Sequence, residues 1–88
     1  MNAEWHMMNE IMRHKVVSIL AEVLRVSREQ VTPSLSIGDI PEWGSMAQMG
    51  IIAALEERLG IEIPLEDLFD LTSVEALVGE VEKLKGQG

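Results

Sequence analysis

Apolar side chains recur at three- and four-residue spacing near the start of this chain. The pattern begins near Met8, ends near Leu24 or Arg25, and puts on one face Met8, Met12, Val16, Ile19, Leu20, Val23 and Leu24. Polar side chains occupy the other positions: Arg13, Ser18, Glu22 and Arg25. This spacing predicts a first amphipathic helix, preceded by a short segment that we expect to fray.

A second helical pattern covers Ser45 to Leu59, and Gly60 is expected to end it. Its predicted inner positions are Met46, Met49, Ile52, Ala53, Leu55 and Leu59, and its predicted exposed positions are Gln48, Glu56, Glu57 and Arg58. Methionine fills irregular gaps in cores, so packing is the ordinary interpretation of Met7, Met8, Met12, Met46 and Met49, with a target-binding surface as the alternative.

Two further helices are expected after Gly60. Ile61 to Pro64 reads as extended, and Pro64 can serve as the first residue of a short third helix that ends at Phe69 or Asp70. The sequence Thr72-Ser73-Val74-Glu75 is a candidate capping box for a fourth helix. The apolar side of that helix consists of Val74, Leu77, Val78, Val81 and Leu84.

A long loop, Val26 to Gly44, joins the first two long helices. It includes a candidate capping box at Ser27 to Gln30, and its apolar residues are expected to pin it to the core: Val31, Leu35, Ile37 and Ile40. The whole pattern predicts an all-α fold, a small antiparallel four-helix bundle with three longer helices, one short third helix and a long first loop. We divide the chain into a frayed extension (1–9), one domain (10–85) and a tail (86–88).

The composition excludes several kinds of functional site. With 88 residues, the chain has room for one modest core, and its lack of cysteine excludes disulfides and thiolate metal sites. His6 and His14, with Glu10 between them, are too sparse for a metal site, so none is predicted. The sequence contains no Ser-His-Asp order, no glycine-rich phosphate loop and no cluster of metal ligands, so we expect no enzymatic activity. We find no leader or spanning segment and expect a soluble cytoplasmic protein.

The net charge of −8 is unevenly distributed. Residues 1–38 carry four acidic and four basic side chains, whereas residues 39–82 carry eleven acidic side chains and a single basic one, Arg58. The negative electrostatic field of these side chains disfavours binding to nucleic acid and to anionic membranes, and it favours binding to proteins with basic patches. We expect no nucleic-acid binding and no membrane insertion.

Ser45 lies where turn signals give way to helical periodicity. A helix N-terminus has free backbone N–H groups and a partial positive charge, so an anionic phosphate is well placed there. The alternative involves no chemistry: Ser45 to Gln48 fits a capping box, and serine is common at N-caps for that reason alone.

The residues around Ser45 resemble those of acyl carrier proteins. The run Gly44-Ser45-Met46, followed by Ala54-Leu55-Glu56-Glu57-Arg58-Leu59-Gly60-Ile61-Glu62-Ile63-Pro64, is similar to that family's Asp-Ser-Leu motif, its Ala-Leu-Glu-Glu helix end and its Ile-Pro turn. The resemblance extends without gaps over about residues 10 to 85, and Trp43 matches many free-standing members.

The resemblance implies that Ser45 carries 4'-phosphopantetheine, which a separate phosphopantetheinyl transferase transfers from coenzyme A. The thiol of this arm holds an acyl or aminoacyl group as a thioester. It also implies a monomer that docks with loading and biosynthetic enzymes through their basic patches. The implied contacts are Met46, Met49, Ala53, Glu56 and Glu57. Fatty acid, polyketide, aryl and amino acid carriers share this frame, so the cargo is not predicted.

One position departs from the family motif: Gly44 stands where the family has aspartate. That carboxylate aids recognition by the loading enzyme, and Glu42 or Asp39 could replace its charge. The departure motivates an alternative hypothesis, a degenerate carrier that is never loaded and acts as an acidic protein-binding module. Trp43 beside it either packs on the bundle or forms a wall for the arm, and packing is the ordinary role of a lone tryptophan.

Overall fold

Three α-helices and two short 3₁₀ helices make up the fold. The structure is a computed structural model that describes the backbone of residues 3–86 and the side chains of residues 10–86. The α-helices are α1 (Ala3–Leu24), α2 (Ser45–Leu59) and α3 (Val74–Gly86), and the 3₁₀ helices are Arg28–Gln30 and Leu65–Asp70. Counting Leu65–Asp70 as the short third helix, the predicted all-α four-helix architecture is confirmed. Within residues 3–86 the β-structure is one isolated bridge, Ser36 to Ser73.

The helix ends differ from the predictions in three places. Helix α1 begins at Ala3, earlier than the expected start near Met8, and helix α3 continues to Gly86, the first residue of the predicted tail. Pro64 is the N-cap of the 3₁₀ helix rather than its first residue. Fraying of residues 1–9 stays a prediction. Residues 1, 2, 87 and 88, and the side chains of His6, Met7 and Met8, lie outside the described part.

Capping explains two helix starts. At Ser27 the backbone N–H donates to Gln30 Oε1 at 3.1 Å, which confirms the capping box predicted there. At α3 the hydroxyl oxygen of Ser73 accepts the Ala76 N–H at 3.1 Å, so Ser73 caps this helix and the predicted Thr72 box is wrong. Thr72 instead contributes its carbonyl to the long loop, because it accepts the Ile37 N–H at 2.9 Å.

The core lies between α1 and the two other long helices, both of which contact it. The side chains that are completely buried are mostly aliphatic, with one aromatic ring among them: Trp43, Leu20, Ile51, Leu55, Leu77, Val16, Val74, Val78 and Val81. Outside the core, the Arg58 guanidinium makes two 2.8 Å hydrogen bonds to Glu22 and ties α2 to α1. This bonding lowers the pKa of Glu22.

The long loop is pinned to the core, as its apolar residues predicted, and it is also hydrogen-bonded to the start of α3. Val31 is buried, and the three other predicted anchors, Leu35, Ile37 and Ile40, pack against the core. Main-chain bonds of 2.9 Å also join the loop to this region, from Val74 N–H to the Leu35 carbonyl and from Glu75 N–H to the Pro33 carbonyl. The middle of the loop is therefore fastened to the start of α3.

The predicted inner face of α2 is wrong for three residues. Met46 and Met49 are 88% and 73% exposed, and Ala53 is also exposed, whereas Ile51, which was not predicted, is completely buried. Ile51, Leu55 and Leu59 form the buried row. The pattern was misleading because α2 is apolar on nearly every side up to Leu55, so spacing alone does not distinguish its faces. The core-packing interpretation holds for Met12 and fails for Met46 and Met49.

Across residues 3–86, none of the helices combines the length and the hydropathy that a bilayer span requires.

Candidate functional site

Ser45 is the first residue of α2 and is exposed. The N-cap is Gly44, whose backbone is extended (φ −109°, ψ −165°), and its carbonyl accepts the Gln48 N–H at 3.0 Å. Within the part of the chain that the structure describes, the Ser45 hydroxyl has no hydrogen-bond partner. The predicted Ser45 to Gln48 capping box is therefore wrong, and the hydroxyl is free for chemistry at a helix N-terminus.

The Gln48 side chain is used elsewhere. Its Oε1 accepts the indole N–H of Trp43 at 2.7 Å, and its Nε2 donates to the Leu71 carbonyl at 2.6 Å. The Trp43 ring is 0% exposed, which confirms the packing role. Its main chain is also fixed, since its carbonyl accepts the Gly38 N–H at 2.8 Å and its N–H donates to the Ile40 carbonyl at 3.1 Å. The residues just before Ser45 are thus rigidly placed.

A cleft of about 570 Å³ opens beside Ser45, between α2 and the Leu65–Asp70 helix. Ser45 lies at its edge and its apolar walls are Ile37, Met49, Leu65, Leu68 and Phe69. Leu65 is 77% and Phe69 88% exposed. The sequence analysis missed both as site residues. The available signal was the presence of two large apolar residues on a short segment that also carries Glu66, Asp67 and Asp70.

Gly44 has space for a side chain. A Cβ atom added there meets no heavy atom within 4 Å, so the missing aspartate does not result from crowding. Of the two acids that could replace its charge, Asp39 is already used, because its Oδ2 accepts the Ser36 N–H at 2.9 Å. Glu42 is exposed in the turn before Trp43.

The two acidic residues expected to contact partners are in different situations. Glu57 is exposed. Glu56 is partly buried, and its Oε2 accepts the Ile63 N–H at 2.9 Å, which braces the turn that follows α2. This second role was not expected from the sequence.

His14, the histidine whose side chain the structure describes, does not line the cleft beside Ser45. His14 Nδ1 is 3.0 Å from an Arg28 guanidinium nitrogen, and the same guanidinium donates to the Ser18 hydroxyl. Among the described residues, no three His, Cys, Asp or Glu side chains are grouped as a metal site would need. The His6 side chain lies outside that set.

Comparison with known proteins supports the resemblance. The family profile described as "Phosphopantetheine attachment site" matches residues 14–81. The acyl carrier protein of Syntrophobacter fumaroxidans is 32% identical over 74 residues, which cover 84% of this chain and 91% of that protein. That of Rubrobacter xylanophilus is 37% identical over 67 residues, covering 76% and 83%.

A longer relative and a solved structure agree with these matches. The meromycolate extension acyl carrier protein of Mycobacterium tuberculosis is 30% identical over 70 residues, which cover 80% of this chain but 61% of the relative's own length. The solution structure of the holo acyl carrier protein of Geobacter metallireducens superimposes with a TM-score of 0.77 at 26% identity, covering 86% of this chain and 87% of that one. This chain belongs to the acyl carrier protein family and contains its phosphopantetheine attachment domain.

Proposed function

We propose that Ser45 is the residue to which 4'-phosphopantetheine is attached, and that the protein presents acyl or aminoacyl thioesters on this arm to partner biosynthetic enzymes. The single observation that carries the proposal is the free, exposed hydroxyl of Ser45 at the first position of α2. The profile match to residues 14–81 surrounds it on both sides.

The residues around Ser45 fit the group. A phosphodiester on the hydroxyl carries negative charge, and the N-terminal turn of α2 supplies unpaired N–H groups and a positive dipole end. The space beside the backbone of Gly44 is also open, because a Cβ atom added there meets no heavy atom within 4 Å. When attached, the arm supplies a terminal thiol on which an acyl group is held as a thioester.

The chain itself holds the arm and orients the Ser45 hydroxyl, and it does not catalyse the attachment. Within the described residues, no carboxylate or imidazole is hydrogen-bonded to the Ser45 hydroxyl, so a separate transferase has to supply the base that accepts its proton. The buried Trp43 and its bond to Gln48 keep the start of α2 fixed while that enzyme approaches. In this proposal Trp43 acts through packing.

The proposed partner contacts follow α2 away from Ser45. Met46, Met49 and Ala53 present apolar surface and Glu57 presents charge, and all four are exposed. Glu56 is partly exposed and adds charge beside Glu57 while it braces Ile63. Basic side chains on transferases and on loading enzymes fit this end of the helix.

The test is direct loading. The purified protein is incubated with coenzyme A and several broad-specificity phosphopantetheinyl transferases, and intact mass and peptide mapping locate the modification. We expect a mass gain of one phosphopantetheine on Ser45, and none in Ser45→Ala. Ser34→Ala removes another exposed hydroxyl and serves as the matched control, which should load normally. Absence of any gain with every transferase would reject the proposal.

The degenerate-carrier alternative makes an opposite prediction in the cell. It requires that Ser45→Ala leave function intact, whereas the loading proposal expects that variant to behave as a null. A host strain carrying Ser45→Ala at the native locus, compared with the same strain carrying Ser34→Ala, separates the two.

A further inference from the structure

We propose that a cavity between α1 and the end of α2 binds a small organic anion, with an anionic head that is a carboxylate or a phosphate on an apolar body. The cavity has a volume of about 360 Å³. It is lined by His14, Lys15, Ser18, Ile19, Arg58 and Leu59. Arg58 and Leu59 end α2, so the cavity lies about 20 Å along that helix from Ser45. This site is therefore separate from Ser45 and goes beyond the proposed function.

The most buried residues of the cavity lining are apolar. Ile19 and Leu59 are 6% and 8% exposed and belong to the hydrophobic core, whereas His14, Lys15 and Ser18 are exposed at the rim. A ligand whose apolar body covers the rest of the Ile19 and Leu59 surface removes that surface from water, which is favourable. The cavity volume is at the lower end of the range for ligand sites, which fits a small molecule.

The rim of the cavity carries two cations without a carboxylate partner. Lys15 lines the cavity, and Arg28 reaches the same rim from the long loop. The Arg28 guanidinium donates to the Ser18 hydroxyl and lies 3.0 Å from His14 Nδ1. Among the side chains of residues 10–86, neither Lys15 nor Arg28 is in a salt bridge. A guanidinium has no acceptor atom, so His14 Nδ1 accepts this bond and the neutral imidazole keeps its Nε2–H as a further donor.

The charge around the cavity is opposite in sign to the charge of the whole chain. Residues 11–28 contain four basic residues and one acidic residue, a net charge of +3, whereas the chain carries −8. The acidic residue is Glu22, which the Arg58 guanidinium holds by two 2.8 Å hydrogen bonds, so its carboxylate does not neutralise Lys15 or Arg28. A pocket with positive charge of this kind attracts anions and repels cations.

The rest of the chain restricts which anion fits. Nucleic acid is disfavoured, because the eleven acidic side chains of residues 39–82 repel the further phosphates of a polyanion. An inorganic anion uses the rim but leaves the surface of Ile19 and Leu59 uncovered. A small molecule with one anionic head and an apolar body uses both parts of the cavity.

The experiment titrates small probes into the isotope-labelled protein and follows its amide signals by NMR. The probes are octanoate, octyl phosphate, octan-1-ol and acetate, each below its micelle-forming concentration. We expect octanoate or octyl phosphate to shift the signals of Lys15, Ser18, Ile19 and Leu59 saturably. Octan-1-ol lacks the charge and acetate lacks the apolar body, so both should bind at least roughly tenfold more weakly. The tighter of the two anions identifies the head as a carboxylate or a phosphate.

Two substitutions test the cations of the rim. Lys15→Gln and Arg28→Gln should each raise the Kd of the tighter anion by roughly tenfold, because each removes a charged hydrogen-bond donor. The matched control is Arg13→Gln, which removes an exposed cation of α1 that does not line the cavity and should change Kd by less than about twofold. Circular dichroism checks the fold of each variant, and Lys15, on the exposed surface of α1, keeps the test decisive if Arg28→Gln loosens the loop.

Several results would overturn the inference. Equal Kd values for octan-1-ol and octanoate would mean that the charge of the rim is not used, and equal values for acetate and octanoate would mean that the apolar floor is not used. An effect of Arg13→Gln as large as that of Lys15→Gln would show general surface charge instead of a site. Signal shifts confined to the cleft beside Ser45, or no saturable shift, also overturn it. Loading of Ser45 is measured separately, so failure of either proposal leaves the other standing.

Discussion

Trp43 and Gln48 are joined by a 2.7 Å hydrogen bond from the indole N–H to the amide oxygen. The bond connects the residue two positions before Ser45 to the first turn of α2, and the same amide continues to the Leu71 carbonyl at 2.6 Å. One side chain thus satisfies a buried donor and a buried acceptor from two other parts of the chain. Ser45 lies between Trp43 and Gln48 in the chain, so its position depends on the link between these two residues.

Replacing Gln48 tests the link. Gln48→Ala leaves the buried indole N–H and the Leu71 carbonyl without partners, and we expect a loss of about 1–3 kcal/mol in the free energy of unfolding. Urea denaturation followed by circular dichroism measures it.

A double-mutant cycle isolates the Trp43 component. Trp43→Phe alone, Gln48→Met alone and the double variant should show a coupling energy of about 0.5–3 kcal/mol. Additive losses would mean that the bond contributes nothing beyond packing.

Gly44→Asp is expected to improve both capping and loading. The open space at Gly44 accepts the new side chain, and aspartate at an N-cap stabilises a helix over glycine by a few tenths of a kcal/mol. The restored carboxylate should also increase the rate of transfer to Ser45 by a phosphopantetheinyl transferase.

Gly44→Ala is the matched control, because it adds a Cβ atom without charge. Initial rates at fixed transferase concentration and thermal midpoints of both variants provide the comparison. Equal loading rates for the two variants and the wild-type protein would show that the family's aspartate has no role here.

The sequence predicted some of the features that depend on local chemistry and missed others, since the capping boxes expected at Thr72 and at Ser45 did not form. The Ser27 cap, the end of α2 at Gly60 and the pinned loop were all correct, since capping residues and the apolar anchors spaced along the loop act over a few positions. The resemblance around Ser45 supplied the family.

The outer face of α2 could not be predicted in the same way. Because α2 is apolar on almost all sides, its orientation is decided by what packs against it, and that information lies in α1 and α3. Met46 and Met49 were therefore assigned inward, and Gln48, an apparently exposed polar residue, turned out to join Trp43 to Leu71.

Two helix ends use the left-handed conformation with different residues. Gly60 has φ 64° after α2, whereas Arg25 has φ 59° after α1 and carries a Cβ atom. Gly60→Ala should therefore destabilise the fold by about 1–2 kcal/mol, and Arg25→Gly should stabilise it or leave it unchanged, because the left-handed cost is about that size for residues with a Cβ atom. Chemical denaturation measures both.

The control for these glycine changes is Gly79→Ala, in the middle of α3. A Cβ atom there meets nothing within 4 Å, so the better helix propensity of alanine should stabilise the protein by about 1 kcal/mol. A stabilising effect of Gly60→Ala would contradict the assignment of a left-handed conformation to Gly60.

The buried side chain of Glu80 should give the free energy of unfolding an unusual pH dependence. Its side chain is 8% exposed on α3, Lys83 Nζ lies 3.6 Å from its Oε1, and its Oε2 is buried without a partner among the described residues. Burial raises the pKa of Glu80 above the ordinary 4.5, the nearby Asp67 carboxyl raises it further, and Lys83 opposes both. The folded protein thus binds this proton more tightly than the unfolded chain does.

The sign of the effect follows from that difference in proton binding. Where the folded state holds more protons, the free energy of unfolding decreases as pH rises, so the Glu80 contribution becomes unfavourable from about pH 4.5 upward. Glu80→Gln stays neutral and should be more stable than the wild-type protein at pH 7, and the difference should shrink as the pH approaches 4.5. Glu82→Gln removes a charge from the same helix and corrects for net charge. Urea midpoints at a series of pH values measure the difference, and a Glu80→Gln protein that is less stable at pH 7 would mean that Lys83 outweighs burial.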